Sequence, residues 1–481
     1  MNRTFLFLTF LLTFSSGFSQ EMVNSIPIAM KTNRDLFQVV SDSNKEVVLF
    51  VSDRKKITAF RLNDKMIVAD SISSQRPDAK FTDIIGYGGD TSNLVIYWAS
   101  SNHKEVFTQQ YDFKNRKISE YPITLSLKDE KFLQYFTENE TFYMLTTVME
   151  SSILKLYVFE KGGVTSHPID LATLNILNED SKNQNFSKTL RDGIDEKGFL
   201  PKTAYNLTRI KDKIYIPLTE SSNKIKCYTN PKSLIITSDE NTNFTQLIDI
   251  DFETFTPKIR LYEQKIIAGA EDKNTNSFVI DDKIFQLTLY STVIYVTVKN
   301  MNGDILAEHS AIGSEPITFK NSDVSRKNSF SDSKRILDKT SQFIRKVNNL
   351  HCGISVYNLG ENYLLTIGAV SNEKAYAVPF GGLTVAKVGA LSVQINPFIN
   401  VTTGYFNSYL NRKVVDMFSL FDKDGKHVKG DIPELAFDKM SKFSTRFYEL
   451  GDIQVYRFGA DYYMNYYNQD TKQYVIRQFT D

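Results

Sequence analysis

The segment YDFKNRKI at residues 111–118 has two counterparts in the chain, FRLNDKMI at residues 60–67 and YVFEKGGV at residues 157–164. Each copy has an aromatic residue, a polar or small residue, an apolar residue, four turn-type residues and then an apolar or β-branched residue. The copies begin 51 and then 46 residues apart. The second and third stay in register as far as YPITL and HPIDL. The chain therefore repeats one hairpin unit, and this repeat decides the fold.

An apolar run precedes each copy, and these runs have a similar spacing: VVLF at 47–50, LVIY at 94–97 and FYML at 142–145. A period of about 40–50 residues built from short strands is typical of β-propeller blades. The sequence predicts an all-β propeller of about seven antiparallel blades, in a range of about six to eight, with a short helical insertion. Residues 35–171 are expected to form three blades. Pairing of the last strand, residues 473–479, with one near residues 22–28 would close the ring.

The first 19 residues have the features of a cleaved export signal. Arg3 gives a positive start, an apolar run of ten residues follows, and Gly17 and Ser19 are small residues before Gln20. The apolar run is shorter than the roughly 20 residues that span a bilayer, and no Cys near the cleavage point offers a site for a lipid anchor. We therefore expect residues 20–481 to form the propeller of an exported protein, periplasmic or extracellular.

The overall charge argues against nucleic acid and anionic membranes as partners, and the two cysteines leave the presence of a disulfide open. The chain has 57 Lys and Arg against 56 Asp and Glu, so it has no global field to hold nucleic acid or an anionic membrane. Cys227 and Cys352 are the only cysteines. An oxidising compartment permits a disulfide between them, and two buried thiols fit equally well.

Two further stretches have predicted structures of their own. Residues 178–198 are polar and poorly periodic, which favours a surface insertion. The sequence KIYIP at residues 213–217 indicates a strand, as does SLII at residues 233–236.

The stretch TSDENTNF at residues 237–244 follows that second strand. It resembles the Asp-box of sialidase-type propellers, in which a Ser, an Asp, a Gly and a Thr-Trp pair recur. Here Thr237 stands for the Ser, Asp239 is kept, Asn241 replaces the Gly and Phe244 replaces the Trp. In that family the box is a structural hairpin remote from the catalytic centre, so the resemblance implies a propeller hairpin and no sialidase activity.

Residues 313–349 interrupt the strand pattern. Residues 333–347 have apolar positions at helical spacing, and Ser331 or Asp332 could cap the helix. Between residues 319 and 349 there are eight Lys or Arg and three Asp. Two interpretations stay open: a helix that covers a blade edge and has solvated charges, or a docking surface for an acidic partner. The candidate partner-binding residues are Lys334, Arg335, Arg345 and Lys346.

The sequence contains no established catalytic or metal-binding motif. No Gly-x-Ser-x-Gly or phosphate-binding Gly-rich loop is present, and the five histidines are scattered, so no cofactor or metal is predicted. His167 is expected to pack. The run DKDGK at residues 422–426 resembles part of a calcium loop, but a turn explains the same residues.

The sequence thus favours a non-catalytic binding or scaffold protein, which would contact a protein partner in a bacterial envelope or secretion complex. The alternative is a carbohydrate-active or carbohydrate-binding propeller that uses carboxylates in its channel. Asp83, Asp90, Glu150 and Asp282 exemplify such acids. Tyrosines of the C-terminal segment, residues 456–474, could form a sugar-stacking surface, although core packing also accounts for them. The channel mouth distinguishes these functions, because an enzyme needs two or three carboxylates there.

Overall fold

The computed structural model describes residues 20–30, 35–160, 163–192, 205–211, 213–268, 270, 273–327, 334–372, 376–380, 383–387, 409, 412–446 and 451–481. The predicted export signal, residues 1–19, lies outside the described residues. Seven sheets of four or five strands follow one another along the chain, with one short separate hairpin. The predicted all-β propeller is confirmed, and it has seven blades.

The first three blades each consist of four consecutive antiparallel strands. Their bounds are β2 (Asp35–Ser41), β3 (Glu46–Ser52), β4 (Lys56–Leu62) and β5 (Val68–Gln75) in blade 1; β6 (Phe81–Gly88), β7 (Asn93–Ser100), β8 (Glu105–Asp112) and β9 (Lys117–Thr124) in blade 2; and β10 (Glu130–Glu138), β11 (Thr141–Val148), β12 (Ile153–Glu160) and β13 (Gly163–Asp170) in blade 3.

Blade 5 keeps this plan, and blades 4, 6 and 7 vary it. Their strands are β14 (Thr208–Arg209), β15 (Ile225–Thr229), β16 (Ser233–Ser238), β17 (Phe244–Asp251) and β18 (Pro257–Glu263) in blade 4; β19 (Asn274–Ile280), β20 (Lys283–Leu289), β21 (Val293–Asn300) and β22 (Ile305–Ile312) in blade 5; β23 (Ser325–Lys327), β24 (Lys334–Ile336), β25 (His351–Leu359), β26 (Asn362–Val370) and β29 (Val414–Asp422) in blade 6; and β30 (Gly451–Phe458), β31 (Asp461–Asn468) and β32 (Gln473–Phe479) in blade 7. The separate hairpin is β27 (Tyr376–Phe380) and β28 (Leu383–Lys387).

The ring closes as predicted, between the two ends of the chain. Strand β1 (Gln20–Pro27) pairs antiparallel with β32 and so becomes the fourth strand of blade 7. Ile26 lies opposite Tyr474, and both pack in an apolar layer between blades 7 and 1. The first blade thus contacts the last, and the described part of the ring is closed.

The three repeated segments occupy equivalent places in three separate sheets. Each covers the end of a blade's third strand and the turn into the fourth. In the first two copies an Asn or Asp side chain makes the turn, because Asn63 accepts the backbone N–H groups of Lys65 and Ile67, and Asp112 accepts that of Asn115. The self-similarity of the sequence is therefore the recurrence of one hairpin in successive blades.

Apolar layers between neighbouring blades form the core. Phe50, Trp98 and Tyr111 fill the layer between blades 1 and 2. Similar layers lie at the other blade interfaces. The C-terminal tyrosines at positions 456, 462, 463, 466, 467 and 474 are all buried, which confirms core packing and excludes the alternative of an exposed stacking surface.

Few residues of the described chain are helical. The helices are one 3₁₀ turn (Ala172–Leu174), α1 (Phe186–Asp192), α2 (Leu218–Ser221), α3 (Thr340–Asn348) and α4 (Ala436–Arg446). Phe186 and Leu190 of α1 are fully buried between blades 3 and 4. The interpretation of residues 178–198 as a surface insertion is therefore wrong for α1; residues 193–198 lie outside the described part.

The predicted helix over residues 333–347 is also partly wrong. Residues 334–336 form β24, which pairs with β23, and α3 starts only at Thr340. Phe343, Ile344 and Val347 of α3 are completely buried, so its apolar side does cover the blades. The positions proposed as caps, 331 and 332, lie outside the described residues.

The buried side chains settle two open questions. Cys227 and Cys352 are free buried thiols, so there is no disulfide between them. Residues 237–244 connect β16 to β17, as the Asp-box resemblance implies. Asp239 is completely buried within that hairpin.

Candidate functional site

The four candidate partner-binding residues lie on two adjacent elements of blade 6. Lys334 and Arg335 are exposed on β24, and Arg345 and Lys346 are in the last turn of α3. Strand β24 pairs with β23 in a register that places Arg326 opposite Arg335 and Lys327 opposite Lys334. Directly opposed like charges destabilise a β-ladder. The Arg326–Arg335 pair therefore has an electrostatic cost in the free protein.

The positive charges on these two elements act on one another. Neighbouring cations lower the pKa of Lys346, with Arg326 the largest cause, followed by desolvation and then by Arg345, Lys413 and Arg335. These five residues, Arg326, Arg335, Arg345, Lys346 and Lys413, are called the basic face below. Three of them are predicted candidates, so the structure brings most of the predicted set together.

Lys413 could not be predicted as a member of this face, because it is distant in the chain from the β23–β24 hairpin and from α3. It directly precedes β29, which pairs with β23 and thereby brings Lys413 to the hairpin. Lys334, by contrast, acts on acidic neighbours: its charge counteracts the increase that burial causes in the pKa values of Asp416 and Asp438. We therefore leave Lys334 out of the basic face.

A groove beside α3 extends the positive surface toward blade 5. It has a volume of about 880 Å³ and is lined by Lys273, Lys339, Gln342, Arg345 and Asn348, among others. We call it the basic groove. Its contact with Arg345 makes it continuous with the basic face.

A second candidate site lies where the first strands of several blades end. Glu138, Thr229, Ile280 and Asn358, at or near the ends of β10, β15, β19 and β25, line one cavity of about 710 Å³. Gly459, which follows β30, lines it too. Inner strands of several neighbouring blades contact one another, β2 with β6 and β30, β6 with β10, and β19 with β25. We therefore interpret this cavity as the mouth of the propeller channel.

Residues 205–211 and 213–217, here called the crossing segment, pass across this channel. The Arg209 guanidinium donates to the Tyr135 carbonyl in blade 3 at 3.1 Å. The Lys213 carbonyl accepts from Tyr462 in blade 7 at 2.8 Å, and the Ile216 carbonyl accepts from Ser355 in blade 6 at 2.6 Å. The crossing segment thus connects opposite sides of the ring.

The strand predicted at residues 213–217 is therefore wrong. The Tyr215 hydroxyl lies 3.1 Å from that of Thr366, and Ile216 is buried in the core of blades 5 and 6. The apolar residues that suggested a strand pack against different blades, and no sheet includes them.

Lys211 is a charged group with a perturbed pKa at the channel mouth. It is half-buried, and desolvation lowers its pKa to about 8, assisted by the Arg209 charge and opposed by Glu220. Its ammonium has no hydrogen bond or ion pair with any described residue. Perturbed groups of this kind in a cavity indicate a candidate binding or catalytic site.

The cavity also contains acids, as the enzyme alternative requires. Glu138, Asp281 and Asp282 line it. Asp281, however, accepts hydrogen bonds from Asn358 and Tyr363. Asp282 is the one residue of the four acids named from the sequence that lines this cavity, and the carbohydrate alternative stays a prediction.

The other acids named from the sequence, Asp83, Asp90 and Glu150, each contact a group of the protein. Asp90 accepts the backbone N–H groups of Ser92 and Asn93, and Glu150 pairs with Arg191 at 2.7 Å. Asp83 accepts a hydrogen bond from Thr82. These contacts account for Asp90 and Glu150 as turn and surface residues.

Two further sequence predictions are confirmed. Asp422 makes a turn, because its carboxylate accepts the backbone N–H groups of Asp424 and Lys426. His167 packs, with its ring stacked on Phe255 at 3.7 Å. Among the described residues, no group of three or more His, Cys, Asp or Glu is arranged to hold a metal ion. None of the helices in the described part is long and apolar enough to cross a bilayer.

Comparison of the sequence with protein-family profiles and with curated proteins gives no match. Solved structures with some likeness include a prolyl endopeptidase, at 8% identity over 71% of this chain and 47% of that chain, with a TM-score of 0.30. A mutant of the Synechocystis apocarotenoid oxygenase is 8% identical over 58% of this chain and 61% of that one, with a TM-score of 0.30.

AofleA from Arthrobotrys oligospora is 13% identical over 74% of this chain and 89% of that chain, with a TM-score of 0.25. The chain thus spans about half to three fifths of the length of the first two proteins. At these values the likeness gives no information about activity, so the function has to be argued from the surface and the cavity.

Proposed function

We propose that this protein is a non-catalytic binding module whose basic face docks an acidic surface of an exported partner protein in the cell envelope. The observation that carries the proposal is the register that places Arg326 opposite Arg335. A like-charge pair weakens the hairpin in isolation. An acidic partner would remove that cost by placing carboxylates between the two guanidinium groups.

The composition of the basic face favours carboxylates over a diffuse anionic surface. Three of its five members are arginines, whose planar guanidinium groups bind carboxylates with two parallel hydrogen bonds. The chain as a whole is close to neutral, so attraction has to be local. The basic groove adds Lys273 and Lys339 beside Arg345, which suits an extended acidic segment of a protein.

The direct test is charge reversal on the basic face. The triple variant R335E/R345E/K346E should weaken binding of poly-L-glutamate by about tenfold or more at about 0.15 M salt, because rim charges that become repulsive cost several kcal/mol. Wild-type binding should also weaken steeply as salt rises, since exposed charges are screened. Both effects are measured by titrating labelled polymer and following its anisotropy.

A matched control changes the net charge by the same amount elsewhere. The variant K55E/K65E/K128E alters three exposed lysines of blades 1 to 3 and should keep wild-type binding. Pull-down from the native envelope should then recover a stoichiometric protein with the wild type and with this control, but not with the basic-face variant. Binding to phosphatidylglycerol vesicles and not to poly-L-glutamate, or equal loss in both triple variants, would contradict the proposal.

A further inference from the structure

The cavity at the channel mouth combines an apolar wall with an amine that has no partner within the described part of the chain. Lys211 lines it, and so do the apolar side chains of Ile214, Ile235, Phe278, Met301 and Val356. Its volume of about 710 Å³ lies within the roughly 300–1,000 Å³ of small-molecule sites. A polar group that fixes orientation within a largely apolar cavity is the usual composition of a ligand site.

The positive charge at Lys211 is held in place by the fold. Ile210, its neighbour, is buried in the core of blades 4 to 6. On the other side of Ile210, Arg209 is anchored on the Tyr135 carbonyl. The repulsion of Arg209 acts more strongly on Lys211 than the attraction of Glu220. The described groups around Lys211 therefore do not neutralise its positive charge, and a bound anion would be attracted to it.

The other charged groups of the cavity limit which anion can bind. Lys213 pairs with Asp42 at 3.7 Å, and Arg457 donates to the Lys213 carbonyl. Glu138, Asp281 and Asp282 add negative charge to the lining. Because these carboxylates repel a dianion such as a phosphate more strongly than a monoanion, a single carboxylate is the better fit.

We infer that the channel mouth binds a small organic carboxylate, with the carboxylate on Lys211 and an apolar body against the wall formed by Phe278, Met301 and the neighbouring aliphatic residues. This site is independent of the basic face, which lies on the outer part of blade 6. A failure of one proposal would therefore leave the other intact.

Octanoate and octanamide form a matched pair of probes, because they share an apolar body and differ in charge. Octanoate should bind at least about tenfold more tightly at pH 7.5, as measured by calorimetry. Its affinity should fall on the order of tenfold between pH 7.5 and 9.5, because Lys211 loses its proton above its pKa of about 8. The acidic groups near Lys211 are the carboxyl groups of Glu138, Glu220, Asp281 and Asp282.

Three variants make the test specific to Lys211. Lys211→Gln should reduce octanoate affinity to that of octanamide. Lys211→Arg should keep the affinity but abolish its decrease toward pH 9.5, because a guanidinium stays protonated. Lys65→Gln, which changes an exposed lysine of blade 1 outside the cavity, should behave as wild type. Equal binding of the two probes, or undiminished octanoate binding by a folded Lys211→Gln protein, would overturn the inference.

Discussion

The Lys226 ammonium lies 3.3 Å from the Asp239 carboxylate, and both side chains are completely buried. Asp239 also accepts hydrogen bonds from Thr245 at 2.7 Å and from Ser277 at 2.8 Å. Ser277 belongs to β19, so the carboxylate connects blade 4 to blade 5. The aspartate that the Asp-box resemblance singled out is therefore a link between blades and has no access to solvent.

Removal of this charge should destabilise the ring. In Asp239→Asn the buried Lys226 ammonium would lose its counter-charge, and breaking a buried pair in this way costs about 3–5 kcal/mol. Urea unfolding should show this loss, and Asp64→Asn at an exposed turn should change stability by less than about 0.5 kcal/mol. A loss below about 1 kcal/mol in Asp239→Asn would show that the pair is not essential to blade packing.

The hairpins could be predicted from sequence because their determinants are local. The aromatic residue, the turn and the restart around Tyr111 lie within eight residues, and one turn residue, Asp112, makes its own hydrogen bonds. Ring closure was also predictable, since a propeller without it would leave unpaired edges at both ends.

The crossing segment could not be predicted, because its neighbours are distant in the chain. Its consecutive apolar residues resemble a short buried strand, yet Tyr215 contacts blade 6 and the Lys213 carbonyl accepts from blade 7. A short apolar run indicates that side chains are buried, and does not report what covers them. The basic face could be predicted only in part, because some of its members are distant in the chain. Arg345 and Lys346 are adjacent in sequence, whereas Lys413 reaches them only through strand pairing.

A charge reversal within the hairpin should separate stability from binding. In Arg326→Glu the residue opposite Arg335 becomes an acid, and an opposite-charge pair in place of a like-charge pair should stabilise the protein by about 0.2–1 kcal/mol. The same change should weaken poly-L-glutamate binding, because it removes one member of the basic face. Thermal unfolding and the anisotropy titration measure the two effects. A destabilised variant with unchanged binding would contradict the functional interpretation of this register.

The low pKa of Lys211 should be visible in stability without any ligand. Because the folded-state pKa, about 8, is below the unfolded value of roughly 10.4, the unfolded chain binds more protons between these two pH values. Stability therefore rises with pH across this window, and the penalty of the charged amine is fully present below pH 8. Lys211→Gln should raise the melting temperature at pH 7, and this gain should shrink as pH approaches 10.5. A gain that does not vary with pH would mean that the amine is not desolvated.

The packing of α2, which follows the crossing segment, against β25 can be tested at Gly353. A Cβ atom at this position of β25 would lie 2.9 Å from the Cβ atom of Ser222 and 3.0 Å from its Cα atom. Ser222 directly follows α2, so Gly353→Ala should push α2 away from β25. Overpacking of this kind costs about 1–3 kcal/mol, to be measured by urea unfolding.

Gly163→Ala is the matched control for this change. The nearest atom to its added Cβ is 3.7 Å away, so its stability should stay close to that of the wild type. If the displacement of α2 also moves Lys211 in the crossing segment, Gly353→Ala should weaken octanoate binding as well. Gly163→Ala should leave octanoate binding unchanged. Equal stability of the two variants would show that α2 does not pack tightly against β25.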